Sequence, residues 1–296
     1  MKERFVDKIH SGDILVSDGA TGTNLLARGL ENGMPSEEWL FINPDEIVKL
    51  HRDFILAGAD IILTNTFGGS AIRLNSSDND RVEEINRTAV ELAKKAVEEY
   101  DVYIAGSMGP SGGLIKPLGS LEVDDVFESF KHQAKALSEA GVDLIVVETQ
   151  FDLEEAGAAL KAVRAVSDLP LICSFSYDRG TKTMMGVTAE QMVDNFSSKE
   201  FGDLNILMFG VNCGNSLEDN LSVLEGLRKA TQLPLWFKPN AGLPDVNKDG
   251  TTFYKITPDE MARHAKKWLE IGAQVIGGCC GTTPQHLEAI AKVVKK

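Results

Sequence analysis

Val275-Ile276-Gly277-Gly278-Cys279-Cys280-Gly281-Thr282-Thr283-Pro284 reads as one complete strand–loop–helix unit. The apolar run at its start has the pattern of a buried strand. The glycines form a loop, and Gly281 permits close backbone approach. Thr283 followed by Pro284 is the signature of an N-cap and a first helical residue. Residues 284–294 then continue at helical spacing.

The same unit recurs along the 296 residues. Candidate strands fall at 14–18, 60–66, 102–107, 144–149, 171–176, 206–212, 235–239 and 274–278. Helical patterns fall between and after them, from Pro44 onward and at 81–99, 123–140, 153–166, 188–196, 217–230, 257–270 and 284–294. Asn43 is the expected N-cap before Pro44. In 81–99, Val82, Ile85, Ala89, Leu92, Ala93 and Ala96 lie on one face. Ala57-Gly58-Ala59-Asp60, Ala140-Gly141-Val142-Asp143 and Ile271-Gly272-Ala273-Gln274 each place a glycine where a left-handed C-cap precedes a buried strand.

Strands that are apolar without alternation are buried on both faces, which indicates a parallel sheet. Eight strand–helix units in this length predict a single-domain (β/α)8 TIM barrel covering residues 1–296. A doubly wound open sheet is the alternative. No G-x-G-x-x-G follows the first strand, which weakens a dinucleotide-binding version of it. Residues 31–41 read as a longer excursion, 78–80 as a solvated turn and 245–250 as a polar surface loop.

The net charge of −14 argues against nucleic acid and against a polybasic membrane contact. No apolar run approaches the roughly 18 residues of a membrane span. Met1-Lys2-Glu3-Arg4-Phe5 lacks the apolar core of a signal peptide. Four cysteines in a chain of this size do not form a disulfide framework. A cytoplasmic location is expected.

Cys279 and Cys280 sit where a strand meets a loop, and two thiolates there suit zinc. The other reading is a pair of buried, inert thiols. Cys213, in Gly210-Val211-Asn212-Cys213-Gly214-Asn215, follows another apolar run. It is too distant in sequence for a compact zinc finger but fits ligands gathered from separate barrel strands. Three thiolates leave one tetrahedral position open, as in a catalytic site. Cys173, inside an apolar run, reads as core packing.

Chemistry in such a barrel sits at the C-terminal strand ends. Those ends carry Asp18-Gly19-Ala20-Thr21-Gly22-Thr23, Thr64-Asn65-Thr66-Phe67, Gly106-Ser107-Met108-Gly109-Pro110, Glu148-Thr149, Asn212-Cys213, Pro239-Asn240-Ala241-Gly242 and Cys279-Cys280. Asp18 and Glu148 are carboxylates suited to an ammonium group. A helix cap for Asp18 and a structural hydrogen bond for Glu148 are the alternatives. The backbone of residues 19–22 could meet a carboxylate. Ammonium, carboxylate and a metal-seeking sulfur together describe a thiol amino acid.

With these motifs the chain resembles the homocysteine S-methyltransferase family, which includes the homocysteine-binding domain of cobalamin-dependent methionine synthase and betaine–homocysteine methyltransferase. The resemblance runs over nearly the whole chain, and the one-Cys loop followed by Gly277-Gly278-Cys279-Cys280-Gly281-Thr282 is its most specific part. It implies Zn2+ on Cys213, Cys279 and Cys280, which also act in catalysis. It implies the homocysteine amino group near Asp18 and Glu148, and its carboxylate at Gly19 and Ala20. Asn65, Ser107, Asn212 and Asn240 complete the expected substrate site, with Asn240 the candidate fourth zinc ligand before homocysteine arrives. The implied reaction is methyl transfer to the homocysteine thiol, giving methionine.

No histidine stands at a strand end. His10, His51, His132, His264 and His286 read as packing or surface residues. The segment 65–69 lies closer to the methionine synthase branch, so the expected donor is methyl-cobalamin or a methyl-corrinoid protein. Small donors (S-methylmethionine, S-adenosylmethionine or betaine) and a non-catalytic zinc barrel that binds thiol amino acids are the alternatives.

Overall fold

The computed structural model describes residues 2–76, 78–247 and 252–295. Its strands are β1 (Leu15–Val16), β2 (Ile61–Leu63), β3 (Tyr103–Met108), β4 (Leu144–Gln150), β5 (Leu171–Phe175), β6 (Ile206–Cys213), β7 (Leu235–Pro239), β8 (Pro244–Val246), β9 (Thr252–Tyr254) and β10 (Ala273–Ile276). Eight of them are parallel neighbours in the order β1-β10-β7-β6-β5-β4-β3-β2. A parallel bridge between Ser17 and Ile61 joins the two edges. The Asp60 carboxylate secures that seam by accepting from the Val16 N–H at 2.8 Å. The result is the expected single-domain (β/α)8 barrel.

The helices are α1 (Phe5–His10), α2 (Gly22–Ala27), α3 (Trp39–Ile42), α4 (Pro44–Leu56), α5 (Asn79–Val97), α6 (Val123–Ala140), α7 (Leu153–Arg164), α8 (Ala189–Phe196), α9 (Leu217–Ala230), α10 (Pro258–Ile271) and α11 (Pro284–Val294). Gly141 and Gly272 terminate α6 and α10 in the left-handed region, and Gly58 follows the end of α4 with φ 104°. That conformation costs glycine nothing, and it turns each chain sharply into the next strand.

Strand side chains alternate between two apolar layers. Leu15, Ile61, Leu63, Tyr103, Ala105, Leu144, Val146, Ile172, Met208, Trp236 and Val275 fill the barrel interior, and Phe5 and Ile9 of α1 join them. The ring of Phe5 packs edge-on against Tyr103 at 5.4 Å. The intervening residues, such as Ile62, Ile104, Ile145 and Phe237, face the helices. Cys173 belongs to this outer layer and is wholly buried, as expected of core packing. A fully buried Leu or Phe in either layer contributes about 1.5–3 kcal/mol by leaving water.

Three local readings change, and a fourth gains detail. Asn43 precedes α4, but its side chain makes no capping bond. Residues 78–80 are more than a turn: Asp78 Oδ1 accepts from the Asp80 N–H at 3.0 Å and caps α5. Residues 245–250 do not begin as an irregular loop, because β8 pairs antiparallel with β9 as a hairpin; residues 248–250 lie outside the described residues. The excursion at 31–41 contains a short 3-10 turn (Ser36–Glu38) and the start of α3. Among the described residues no helix is long and apolar enough to cross a membrane.

Candidate active site and metal centre

Each barrel strand continues its inward alternation past the apolar layers, and there the residues become polar. Ala105 is followed on the same face by Ser107, Val146 by Glu148, Ile172 by Ser174 and Trp236 by Lys238. Asn212 lies four residues beyond Met208 and pairs in register with Lys238. The polar ring thus forms the floor of the C-terminal mouth. A cavity of about 340 Å³ opens above it. Its lining includes Gly19, Ala20, Asn65, Ser107, Glu148, Lys238 and the three cysteines.

The sulfurs of Cys213, Cys279 and Cys280 lie within 4.8 Å of one another. Cys213 ends β6, and the other two follow β10. The strand β7 between them and the residues after it tie both loops down: Cys279 N–H donates to Pro239 O at 2.8 Å, Ala241 N–H to Cys280 O at 2.9 Å, and Asn240 N–H to Cys213 O at 3.4 Å. Cys213 adopts φ 56°, and Thr149 at the end of β4 adopts φ 58°. Side chains other than glycine rarely hold that region unless the surroundings enforce it. Asn212 supplies the enforcement. Its Oδ1 accepts from Thr149 N–H at 2.9 Å and Ser174 Oγ at 2.6 Å. Its Nδ2 donates to Thr149 Oγ1 at 2.6 Å and points toward the Cys213 and Cys279 sulfurs at 3.7 and 4.0 Å. Asn212 is buried and does not line the cavity.

Crowding alone does not ionise all three thiols. The Cys213 and Cys279 sulfurs lie 2.8 Å apart, and the crowding of the three thiols pushes Cys280 down to about 3. Cys213, against the Cys279 and Cys280 sulfurs, is raised well above the usual thiol range. A divalent cation would resolve this conflict by holding all three as thiolates. Asn240 offers a further donor. Its Nδ2 donates to Gly214 O at 3.0 Å, and its buried Oδ1 has no hydrogen-bond partner. The donor set therefore fits a zinc ion.

The carboxylates differ. Glu148 lines the cavity, accepts from Ser107 Oγ at 2.5 Å and is pushed up to about 7, chiefly by burial, with Lys238 pulling the other way. Asp18 does not line the cavity. Its Oδ1 lies 2.6 Å from Lys238 Nζ, and its Oδ2 accepts from Leu63 N–H at 2.8 Å. Burial works against the Lys238 charge, but Asp18 and Glu148 outweigh it and raise its pKa.

Of the remaining expected residues, Ala20 uses its N–H on Thr282 Oγ1 at 3.1 Å, and Asn65 donates to Ser36 O at 2.8 Å, fastening the 31–41 excursion over the rim. Gly19 lies against Phe54, where a side chain would clash: a Cβ would stand 2.7 Å from its ring. Two of the histidines, His51 and His286, are buried in packing roles. His51 is buried and pushed down to about 4 by burial, and His286 bonds Thr283 and Ile256 O.

Two site residues escape sequence reasoning. Lys238 stands two places past the inward-facing Trp236, a register signal that could have found it. Tyr254, on β9, covers Gly281; a Cβ there would stand 2.1 Å from the ring, and φ is 79°. Nothing local in the sequence marks that contact.

A model of the homocysteine S-methyltransferase family matches residues 15–294. Methionine synthase of Mycobacterium tuberculosis is 30% identical over 303 aligned residues, covering 95% of this chain and 24% of the relative. The chain thus spans about a quarter of that protein's length. The metallated homocysteine methyltransferase MmuM of Escherichia coli is 26% identical with a TM-score of 0.79, covering 95% of this chain and 96% of the other. N-acetylneuraminate lyase of Mycoplasma synoviae, at 15% identity and a TM-score of 0.52 over 95% of this chain and 72% of the other, shares the fold alone. This chain belongs to the homocysteine S-methyltransferase family, a family of methyltransferase enzymes.

Proposed function

We propose that this chain transfers a methyl group to the thiol of homocysteine, giving methionine, with residues 1–296 forming the homocysteine-binding domain. The observation that carries this reading is the placement of three clustered thiols and one buried carboxylate, Glu148, in a single cavity of about 340 Å³. Cys213, Cys279 and Cys280 would hold Zn2+, with Asn240 Oδ1 as the fourth donor at rest. Zinc bound there supplies a Lewis acid that keeps a substrate sulfur deprotonated at neutral pH. Glu148 receives the substrate ammonium while Ser107 fixes the carboxylate, and Asp18 acts from beneath through Lys238. The backbone at Gly19 and the turn that follows it receives the substrate carboxylate. With Ala20 N–H turned to Thr282, its share in that contact is the smaller. Asn65 shapes the rim, and Asn212 holds the strand ends that carry the sulfurs. The substrate sulfur, its proton lost on binding, forms a bond to the methyl carbon as the donor's bond breaks. No protein base takes part.

The donor in this reading is a methyl-corrinoid, carried on a separate domain or protein or free as methyl-cobalamin. Exposed Leu26 on α2, Phe67 after β2 and Leu243 after β7 lie at the same barrel face and suit a bulky, partly apolar donor. The second reading takes a small donor such as S-methylmethionine, S-adenosylmethionine or betaine. A reducing cytoplasm would protect the thiols.

The test supplies homocysteine and each methyl-labelled donor in turn to zinc-loaded protein and follows labelled methionine. Product from a methyl-corrinoid supports the first reading, and product only from a small donor supports the second. If homocysteine binds and no donor yields methionine, the methyl-transfer reading is refuted.

A further inference from the structure

A lysine inside a barrel must be answered by charge, and Lys238 is answered on one side only. Its Nζ lies 2.6 Å from Asp18 Oδ1, with both side chains at most 2% exposed, and it also donates to Ser17 Oγ at 3.2 Å. Leu63 N–H meets the other Asp18 oxygen. The Asp18 charge is therefore satisfied within the protein. Glu148 has a hydroxyl partner, Ser107, and faces the cavity. Lys238 lines the same cavity. Asp18, Lys238 and Glu148, all buried, together carry one net negative charge when ionised, and one ammonium neutralises it.

We propose that Lys238 is a positioning residue for amino-acid recognition: by pairing with Asp18 it leaves Glu148 as the single carboxylate that receives the α-ammonium of the substrate. This rests on homocysteine being the substrate. The charged or titratable groups facing Glu148 are Lys238 on β7, Cys279 after β10 and Asp18 after β1. His51 on α4 faces Asp18 and is buried. Without Lys238, two carboxylates share the pocket, and one takes up a proton because both cannot ionise there. Without Asp18, the freed Lys238 pairs with Glu148 and competes with the substrate. Removing both returns a single free carboxylate.

The experiment compares wild type, Lys238→Met, Asp18→Asn and the double variant, all checked for zinc content and circular dichroism. Homocysteine binding is followed by calorimetry and methyl transfer across neutral and alkaline pH. Each single variant should raise the homocysteine KM about tenfold or more, with kcat changing much less. Lys238→Met should also move the acid limb of kcat/KM to higher pH. The double variant should recover most of the affinity and the limb. If one single variant does not fold, the other supplies the same contrast. With 4-mercaptobutanoate, which lacks the amino group, KM should be alike in every variant that folds. The proposal is overturned if the single variants keep the wild-type KM, if the double is as poor as the singles, or if the des-amino thiol suffers equally. Wild type that neither binds nor methylates homocysteine would instead overturn the substrate reading.

Discussion

Glu148→Gln should make the protein more stable at alkaline pH while impairing it. The native carboxyl is pushed from 4.5 to about 7, chiefly because burial disfavours its ionised form. Unfolded chain therefore ionises first, and between about pH 4.5 and 7 the folded state binds more protons than the unfolded one. Stability must fall as pH rises through that window. A shift of this size corresponds to about 3 kcal/mol lost by pH 8, but less than about 1 kcal/mol at pH 5, only about half a unit above the pKa of the unfolded carboxyl. Glutamine keeps an acceptor for Ser107 Oγ and never ionises. Urea unfolding of wild type and variant in the same metal state should thus show the variant gaining roughly 2–3 kcal/mol at pH 8 and little at pH 5. Homocysteine affinity should drop about ten- to hundredfold from loss of a charge-assisted bond. Equal stability differences at the two pH values, or a less stable variant at pH 8, would refute the assignment of a strained, buried carboxylate.

Replacing both Cys279 and Cys280 by alanine should abolish zinc binding in metal analysis, whereas Cys173→Ala should retain it; Cys173, raised by full burial, should also resist alkylation in the folded protein. Asn240→Ala should hasten zinc loss to a chelator in the absence of homocysteine and leave the homocysteine-bound form unaffected, since the substrate sulfur then occupies the fourth position. X-ray absorption of zinc-loaded wild type should show one added sulfur neighbour near ~2.3 Å on homocysteine binding, and unchanged coordination would make the zinc structural. Asn212→Ala should cost about 2–4 kcal/mol in chemical denaturation, because Thr149 N–H and two hydroxyls lose their partner in a buried setting; a loss under about 0.5 kcal/mol would mean that Thr149 and Cys213 hold their conformations unaided.

The sequence by itself determined the barrel and the three sulfurs. Repeated apolar runs, amphipathic stretches and glycine caps are local signals, set by residues a few places apart, and all eight expected strands formed at those places. Cys213, Cys279 and Cys280 were legible because a parallel barrel collects its strand ends on one face whatever the details of packing. Tertiary structure alone decided the partners. Asp18 and Glu148 look alike in sequence, yet one is locked against Lys238, 220 positions away, and the other faces the cavity. Asn65, Asn212 and Asn240 are equally similar on paper, but the first fastens a rim, the second holds two strained residues, and the third keeps an unpartnered oxygen. Tyr254 covers Gly281, next to Cys280, only because a hairpin folds back across that glycine. Such contacts depend on which strands become neighbours and which side chain fills a given gap. Periodicity fixes the face a residue presents, and only the closed barrel fixes what that face meets.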